Sequence, residues 1–220
     1  MQIAIDGPAG AGKSTISKFV SAELGYLYID TGAMYRAIGY KAICEGIDLD
    51  DKEKLVEMTK NVNLELKITD HGQGVFVDGE DVTGKIRTGE VSMAASKVSA
   101  IMGVRETLVD LQRKIAGSNN VIMDGRDIGT VVLPDAEVKI FLTASVEDRA
   151  MRRYLEMKEK GVETSYQAVK EDMEERDYND SHRAASPLKA ADDAVVIDTS
   201  GKTLGESVQL IVEHIKARIG

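Results

Sequence analysis

Cysteine occurs once in the 220 residues and proline three times, and no apolar run reaches the ~18 residues that a membrane-spanning helix needs. The single Cys44 excludes an intrachain disulfide and a thiolate metal cluster, and it reads as filler within a helix. With 43% hydrophobic and 30% charged residues, the composition excludes disordered, collagenous and fibrous classes. The opening Met1-Gln2-Ile3-Ala4-Ile5-Asp6 has neither a basic start nor a long apolar stretch, so a cytoplasmic protein with no membrane partner is expected. Positive charge is also in short supply. Lys and Arg total 28 against 37 Asp and Glu, a formal net charge of -9, which argues against sequence-independent nucleic-acid binding. Any polyanionic ligand must therefore be met by local positive charge. Internal repeats, low-complexity tracts and long linkers are absent, so a single domain spanning 1–220 is expected.

Short apolar runs of strand length do recur, at Ile3-Ala4-Ile5, Leu27-Tyr28-Ile29, Val121-Ile122-Met123, Val138 to Leu142 and Ala194 to Ile197. Segments of helical period separate them: Ile16, Phe19, Val20, Leu24; Val104, Leu108, Leu111, Ile115; and Leu204, Val208, Ile211, Ile215. Gly25, Gly46 and Gly117 each follow such a segment, where a left-handed cap is expected. Alternating strand and helix, with continuous apolar strands, predicts an α/β fold whose parallel sheet is covered on both faces. Residues 63 to 82 break the rhythm by alternating at period two, with turns at Asp70-His71-Gly72-Gln73-Gly74 and Asp78-Gly79. They predict a small antiparallel meander inserted in the α/β chain. The stretch 145 to 185 is densely charged and helical, with Thr164 and Gln167 as a capping box and Tyr166, Val169 and Met173 as its apolar stripe.

Gly7-Pro8-Ala9-Gly10-Ala11-Gly12-Lys13-Ser14, with Thr15 following, comes after the first strand and opens the first helix, which is the spacing and context of a P-loop. The glycines let backbone N–H groups turn inward around a phosphate, and the helix start adds the positive end of its dipole. Lys13 can reach the β and γ phosphates, and the Ser14 hydroxyl can join the shell of a Mg²⁺ ion. The Asn-Lys pair that a guanine reader needs and the Leu-Ser-Gly-Gly segment of ABC-type ATPases are both missing, which leaves chiefly kinases of small molecules and nucleotides.

Arginines cluster where such a kinase needs them, at Arg36, at Arg126 in Asp124-Gly125-Arg126-Asp127, at Arg149, Arg152 and Arg153, and at Arg176 and Arg183 around Asp180. Other readings stay open: solvated helix faces for Arg149, Arg152 and Arg153, and a mutual ion-pair network for Arg176, Asp180 and Arg183. Asp124 reads equally as a ligand to Mg²⁺ through water and as a cap at a strand end. His71, His182 and His214 invite no catalytic role, because an acceptor phosphate is already largely ionised at neutral pH.

Nearly end to end, the sequence resembles the bacterial cytidylate kinases. The likeness is carried by the P-loop, Asp30-Thr31-Gly32-Ala33-Met34-Tyr35-Arg36, Asp124 to Thr130, and Arg176-Asp177 through Arg183 with Ser186-Pro187-Leu188. Thr31 stands where the family often has Ser, which keeps the hydroxyl. The resemblance implies a three-layer P-loop kinase fold with a five-stranded parallel sheet, a β-rich insertion at 63–90 and a helical lid at 145–165. It implies transfer of the γ-phosphoryl group of Mg-ATP to CMP or dCMP, in pyrimidine nucleotide metabolism; separately, a monomer is expected. Donor contacts are then expected from Gly7 through Thr15, Arg149 and Arg152, and phosphoryl stabilisation from Lys13, Arg126 and Arg153. Acceptor contacts are expected from Thr31, Arg36, Ser96, Arg105, Arg126, Asp127, Arg176, Asp180 and Arg183. Within that set Asp127 would tell cytosine from uracil, since a carboxylate accepts from the C4 amino group and repels a C4 carbonyl. Without the resemblance, Ser96 and Arg105 read as ordinary polar helix positions. A kinase for another acceptor and a non-catalytic P-loop switch are the rival readings.

Overall fold

The computed structural model describes residues 1–69 and 72–219, so Asp70 and His71 of the expected turn lie outside the described residues. The chain divides into two compact units, Met1–Tyr28 with Asn119–Gly220, and Ile29–Ser118. Among the described residues no helix is long and apolar enough to cross a membrane.

The first unit contains a sheet of five strands, β1 (Gln2–Asp6), β2 (Leu27–Asp30, whose first two residues belong to this unit), β6 (Val121–Gly125), β7 (Val138–Thr143) and β8 (Val195–Asp198). Their order across the sheet is β2-β6-β1-β7-β8. The pairings of β1 with β6, β1 with β7, and β7 with β8 are parallel. Register matters here: Ile5 stands opposite Asp124 and Asp6 opposite Gly125, so β1 and β6 end level with each other. After β1 the chain returns to the sheet on the β6 side, and after β6 it returns on the β7 side. That reversal is where open α/β sheets gather ligands. Ile3, Ile5, Ile122, Ile140 and Leu142 fill the sheet interior and pack with Ile16 and Val20 of α1 (Lys13–Leu24) and Ile211 and Ile215 of α8 (Leu204–Ile219). Each such aliphatic side chain contributes roughly 1.5–3 kcal/mol by leaving water. A separate apolar cluster joins α6 (Val146–Glu159) to α7 (Tyr166–His182), with Val169 and Met173 packed on Ala150 and flanked by Tyr154 and Tyr166, the stripe expected from the sequence.

The second unit holds α2 (Thr31–Cys44), α3 (Lys52–Asn61), α4 (Gly89–Ser99) and α5 (Met102–Gly117). Between α3 and α4 lies the meander β3 (Leu64–Thr69), β4 (Gly72–Val77) and β5 (Glu80–Asp81), antiparallel throughout. The β4–β5 turn is Asp78-Gly79, with both φ angles positive (51° and 85°), as that dipeptide predicts.

Several local expectations are corrected. Phe19 is 55% exposed, because the buried face of α1 is Ile16, Ser17, Val20 and Ser21, and Phe19 points away from it. Leu204 is likewise exposed at the start of α8. Thr164 does not begin α7: Ser165 caps it by accepting from the Ala168 N–H at 3.1 Å, and Gln167 donates to Glu171 instead. The reciprocal capping box lies at α8, where Glu206 N donates to Thr203 Oγ1 at 3.3 Å and Thr203 N donates to Glu206 Oε2 at 2.8 Å. Gly25 and Gly46 are left-handed caps, but Gly117 is the last residue of α5 and does not have a positive φ. Cys44 ends α2 exposed and is not filler.

Gly7 has a stricter requirement than Gly25. A Cβ at Gly7 would lie 1.9 Å from the Leu142 carbonyl oxygen, whereas one at Gly25 meets nothing within 4 Å. Gly25→Ala should therefore cost only the left-handed backbone penalty, about 1–2 kcal/mol, and Gly7→Ala clearly more. Urea-unfolding midpoints of the two variants check this, and equal losses would contradict it.

Candidate active site

The loop after β1 is shaped by three positive-φ glycines, Gly7, Gly10 and Gly12. Gly12 is the N-cap of α1 and supplies no side-chain hydrogen bond, so the first N–H groups of the helix are not capped by it. Lys13 lies under this loop, 6% exposed, with its ammonium donating to the Pro8 carbonyl at 2.7 Å. Burial, and then the nearby Arg126 charge, pull the Lys13 pKa down to about 7 against the opposing pull of Asp124, Asp6 and Asp180. Ser14 Oγ donates to Asp124 Oδ2 at 2.8 Å, and Tyr28 Oη donates to Asp124 Oδ1 at 2.9 Å. Asp124 thus stands as a buried carboxylate beside the P-loop hydroxyl, fixed by a tyrosine that sequence reading treated only as a strand residue.

Arg126 leaves the end of β6 and donates from Nε to Asp180 Oδ2 at 2.8 Å. Burial pushes the Asp180 pKa up, but the Arg126 charge and hydrogen bond together with Arg176 and Arg183 outweigh it, and the carboxylate titrates below its usual range. Arg183 donates from Nε to the Ser186 carbonyl at 2.7 Å, and its Nη2 lies 3.8 Å from Asp127 Oδ1. Asp127 opens a single π-helical turn, Ile128–Val132, and its carbonyl accepts from Val131 and Val132. The expected cluster of Arg126, Asp127, Arg176, Asp180 and Arg183 is therefore brought together within the first unit.

The three arginines of α6 separate. Arg149 is buried, donating to the Ala144 and Ala9 carbonyls at 2.9 and 3.0 Å and pairing with Asp177 at 2.7 Å. It ties the P-loop backbone to α7. Arg152 donates to the Thr199 carbonyl at 2.9 Å, and Arg153 pairs with Glu156 on an exposed face at 3.0 Å. Neither is drawn to the loop as Arg149 is.

Thr31, Arg36, Ser96 and Arg105 belong to the second unit. Asp30 caps α2 there, accepting from the Ala33 N–H at 2.8 Å and from Arg36 Nη2 at 2.9 Å. Thr31 is buried at the first position of that helix. Arg105 is 3% exposed, donates to the Ser99 carbonyl at 3.2 Å and stacks 5.6 Å from the centre of the Tyr35 ring. A buried arginine held over an aromatic face is no ordinary surface position. Ser96, half-buried on α4, accepts from Ser99 Oγ through its carbonyl.

Four residues that hold these groups had no role assigned from the sequence: Asp6, Tyr28, Asp30 and Asp177. Asp6 carried a signal, as a charged residue ending an apolar strand directly before the loop. Asp177 carried little, being one acid among many on α7.

A bound anion would favour the charged form of Lys13. Binding of sulfate, which carries no proton to exchange at pH 8, should therefore be coupled to proton uptake, seen as an enthalpy that varies with the ionisation heat of the buffer, and Lys13→Met should abolish that dependence. A buffer-independent enthalpy in the unsubstituted protein would contradict the depressed Lys13 pKa.

The family model for cytidylate kinase matches residues 3–217. A cytidylate kinase of Caldicellulosiruptor saccharolyticus is 54% identical over 220 residues, covering 100% of this chain and 97% of its own. One of Lactobacillus johnsonii is 51% identical over 218 residues, covering 99% and 95%. Among solved structures, an uncharacterised protein from Eubacterium ventriosum superposes with a TM-score of 0.56 at 13% identity, covering 99% of each chain. A shikimate kinase from Bacteroides thetaiotaomicron superposes with a TM-score of 0.50 at 12% identity, covering 98% of each. The two structures share the fold alone, but the identity to the two kinases runs the whole length, and the chain belongs to the cytidylate kinase family.

Proposed function

We propose that this enzyme transfers the γ-phosphoryl group of ATP to CMP or dCMP, giving CDP or dCDP and ADP. The observation that carries the reading is the convergence of Lys13, the Ser14–Asp124 pair and the Arg126–Asp180 pair at the level ends of β1 and β6. A hydroxyl beside a buried carboxylate is a donor set that suits a hard divalent cation, so Ser14 and, through water, Asp124 would hold Mg²⁺. When bound, that ion neutralises phosphate charge. The backbone of residues 7 to 15 cradles the donor phosphates, and Lys13 meets their charge as an ammonium. An acceptor phosphate oxygen attacks the γ-phosphorus in line, and Arg126, held in orientation by Asp180, stabilises the charge on the transferring group. No general base is required.

Arg176, Asp180 and Arg183 are proposed for the pentose and phosphate of the acceptor, and Asp127 for its cytosine amino group. Thr31, Arg36, Ser96 and Arg105 are proposed as the acceptor contacts of the second unit. The segment 145–165 is proposed as a lid over the donor. Arg149 would hold the loop from within it, and Arg152 and Arg153 would need to exchange their present partners to reach a phosphate. Segment 63–90 is proposed as an insertion of the kinase core, and the enzyme as a cytoplasmic monomer acting on free nucleotides.

Lys13→Ala and Arg126→Ala should each lower turnover more than about tenfold, or 1.4 kcal/mol; smaller losses would contradict their roles. Asp127→Ala should lose activity selectively with cytosine acceptors. Equal losses with CMP and UMP would remove Asp127 from base reading.

A further inference from the structure

We infer that Asp6 and Lys139 are positioning residues for the acceptor side of the reaction, clamping the turn that carries Arg126 and Asp127. The inference rests on the proposed reading in which those two residues meet the acceptor.

Every other residue of β1 is uncharged, and Ile3, Ala4 and Ile5 have no exposed surface. Asp6 ends this strand almost equally buried, at 4% exposure. Its two oxygens are divided between two adjacent backbone donors: Ile128 N donates to Oδ1 at 2.8 Å and Gly129 N to Oδ2 at 2.7 Å. These N–H groups lie directly after Asp127, at the start of the π-helical turn. A carboxylate is suited to this task, since it offers two acceptors and no donor. The turn also approaches closely: a Cβ at Gly129 would lie 3.2 Å from Lys139 Cδ and 3.4 Å from Asp6 Oδ2.

Lys139, on the other flank in β7, fixes the far end. Its ammonium donates to the Pro134 carbonyl, and to both oxygens of Asp193 at 2.9 and 2.8 Å. The segment from Arg126 to Pro134 is thus held near its middle by β1 and at its end by β7, while Arg126 and Asp127 face Asp180 and Arg183. Burial pushes the Asp6 pKa up to about 6, and the two backbone hydrogen bonds oppose the rise.

Asp6→Asn turns one acceptor oxygen into an amide donor facing a backbone N–H. The experiment compares kcat/KM for CMP and UMP, together with KM for ATP and the thermal unfolding midpoint, in the full-length protein and this variant at neutral pH. The expected result is a fall of about tenfold or more in the CMP to UMP ratio, with KM for CMP rising more than KM for ATP. Any disturbance of nearby Lys13 acts on both acceptors alike and cancels in the ratio. A lowered midpoint with an unchanged ratio is what a merely structural role gives, and it overturns the inference. Absence of a CMP preference in the unsubstituted enzyme overturns the underlying reading before any variant is compared. If Asp6→Asn does not fold, Lys139→Met carries the test from the other end of the clamp: a lowered ratio supports the inference and an unchanged ratio overturns it.

Discussion

Lys13, Asp6 and Asp124 are 6%, 4% and 3% exposed, and a charge so deeply buried persists only if its surroundings satisfy it. At the ends of β1 and β6 they do so in part, since burial still pulls the Lys13 pKa down and pushes the Asp6 pKa up. Lys13 is balanced by Asp6, Asp124 and Asp180 and turned down onto the Pro8 carbonyl, while Asp124 is shared by Ser14 and Tyr28 and Asp6 by two backbone N–H groups. This follows from the level register of the two strands, which places a loop rich in N–H donors beside a strand end rich in carboxylate. The groups proposed to meet a polyphosphate are held in place in advance, where little water screens them. Such preorganisation lets a site stabilise developing charge without rearranging at the moment of reaction.

Arg149 extends the same logic outward. Its guanidinium reaches two backbone carbonyls and a carboxylate at once, which its planar fork allows and a lysine could not match. The P-loop, α6 and α7 are linked through that one side chain. The chemistry that orders the helical pair is therefore also the chemistry that orders the loop after β1. Arg153, by contrast, holds an exposed pair one turn away, of a kind that contributes little to stability and is readily exchanged.

Elements whose cause is local were legible in the sequence. The P-loop, the apolar strands and the Asp78-Gly79 turn each follow from a few neighbouring residues, and each is where the sequence places it. Helix starts were less so, because Thr164 and Ser165 are equally able caps, and only the packing of Val169 and Met173 on Ala150 sets the frame of α7. Phe19 misled because the apolar face of α1 is completed by small serines and not by the aromatic ring. In the site, the arginines and Asp180 were conspicuous, but Asp6, Asp30 and Asp177 were given no role. Asp6 meets its partners across 122 and 123 positions, and Arg149 meets Ala9 across 140. No window of sequence contains such contacts, and they exist only once the sheet has brought its strand ends level.

Acceptor choice tests the account most directly. ADP formation from Mg-ATP should be measured with CMP, dCMP, UMP, AMP and GMP offered separately, beside a control with no acceptor. The account predicts strong turnover with the two cytosine nucleotides and little above the control with the others. Comparable turnover with a different nucleotide, or ATP binding with no acceptor-dependent turnover, would contradict it.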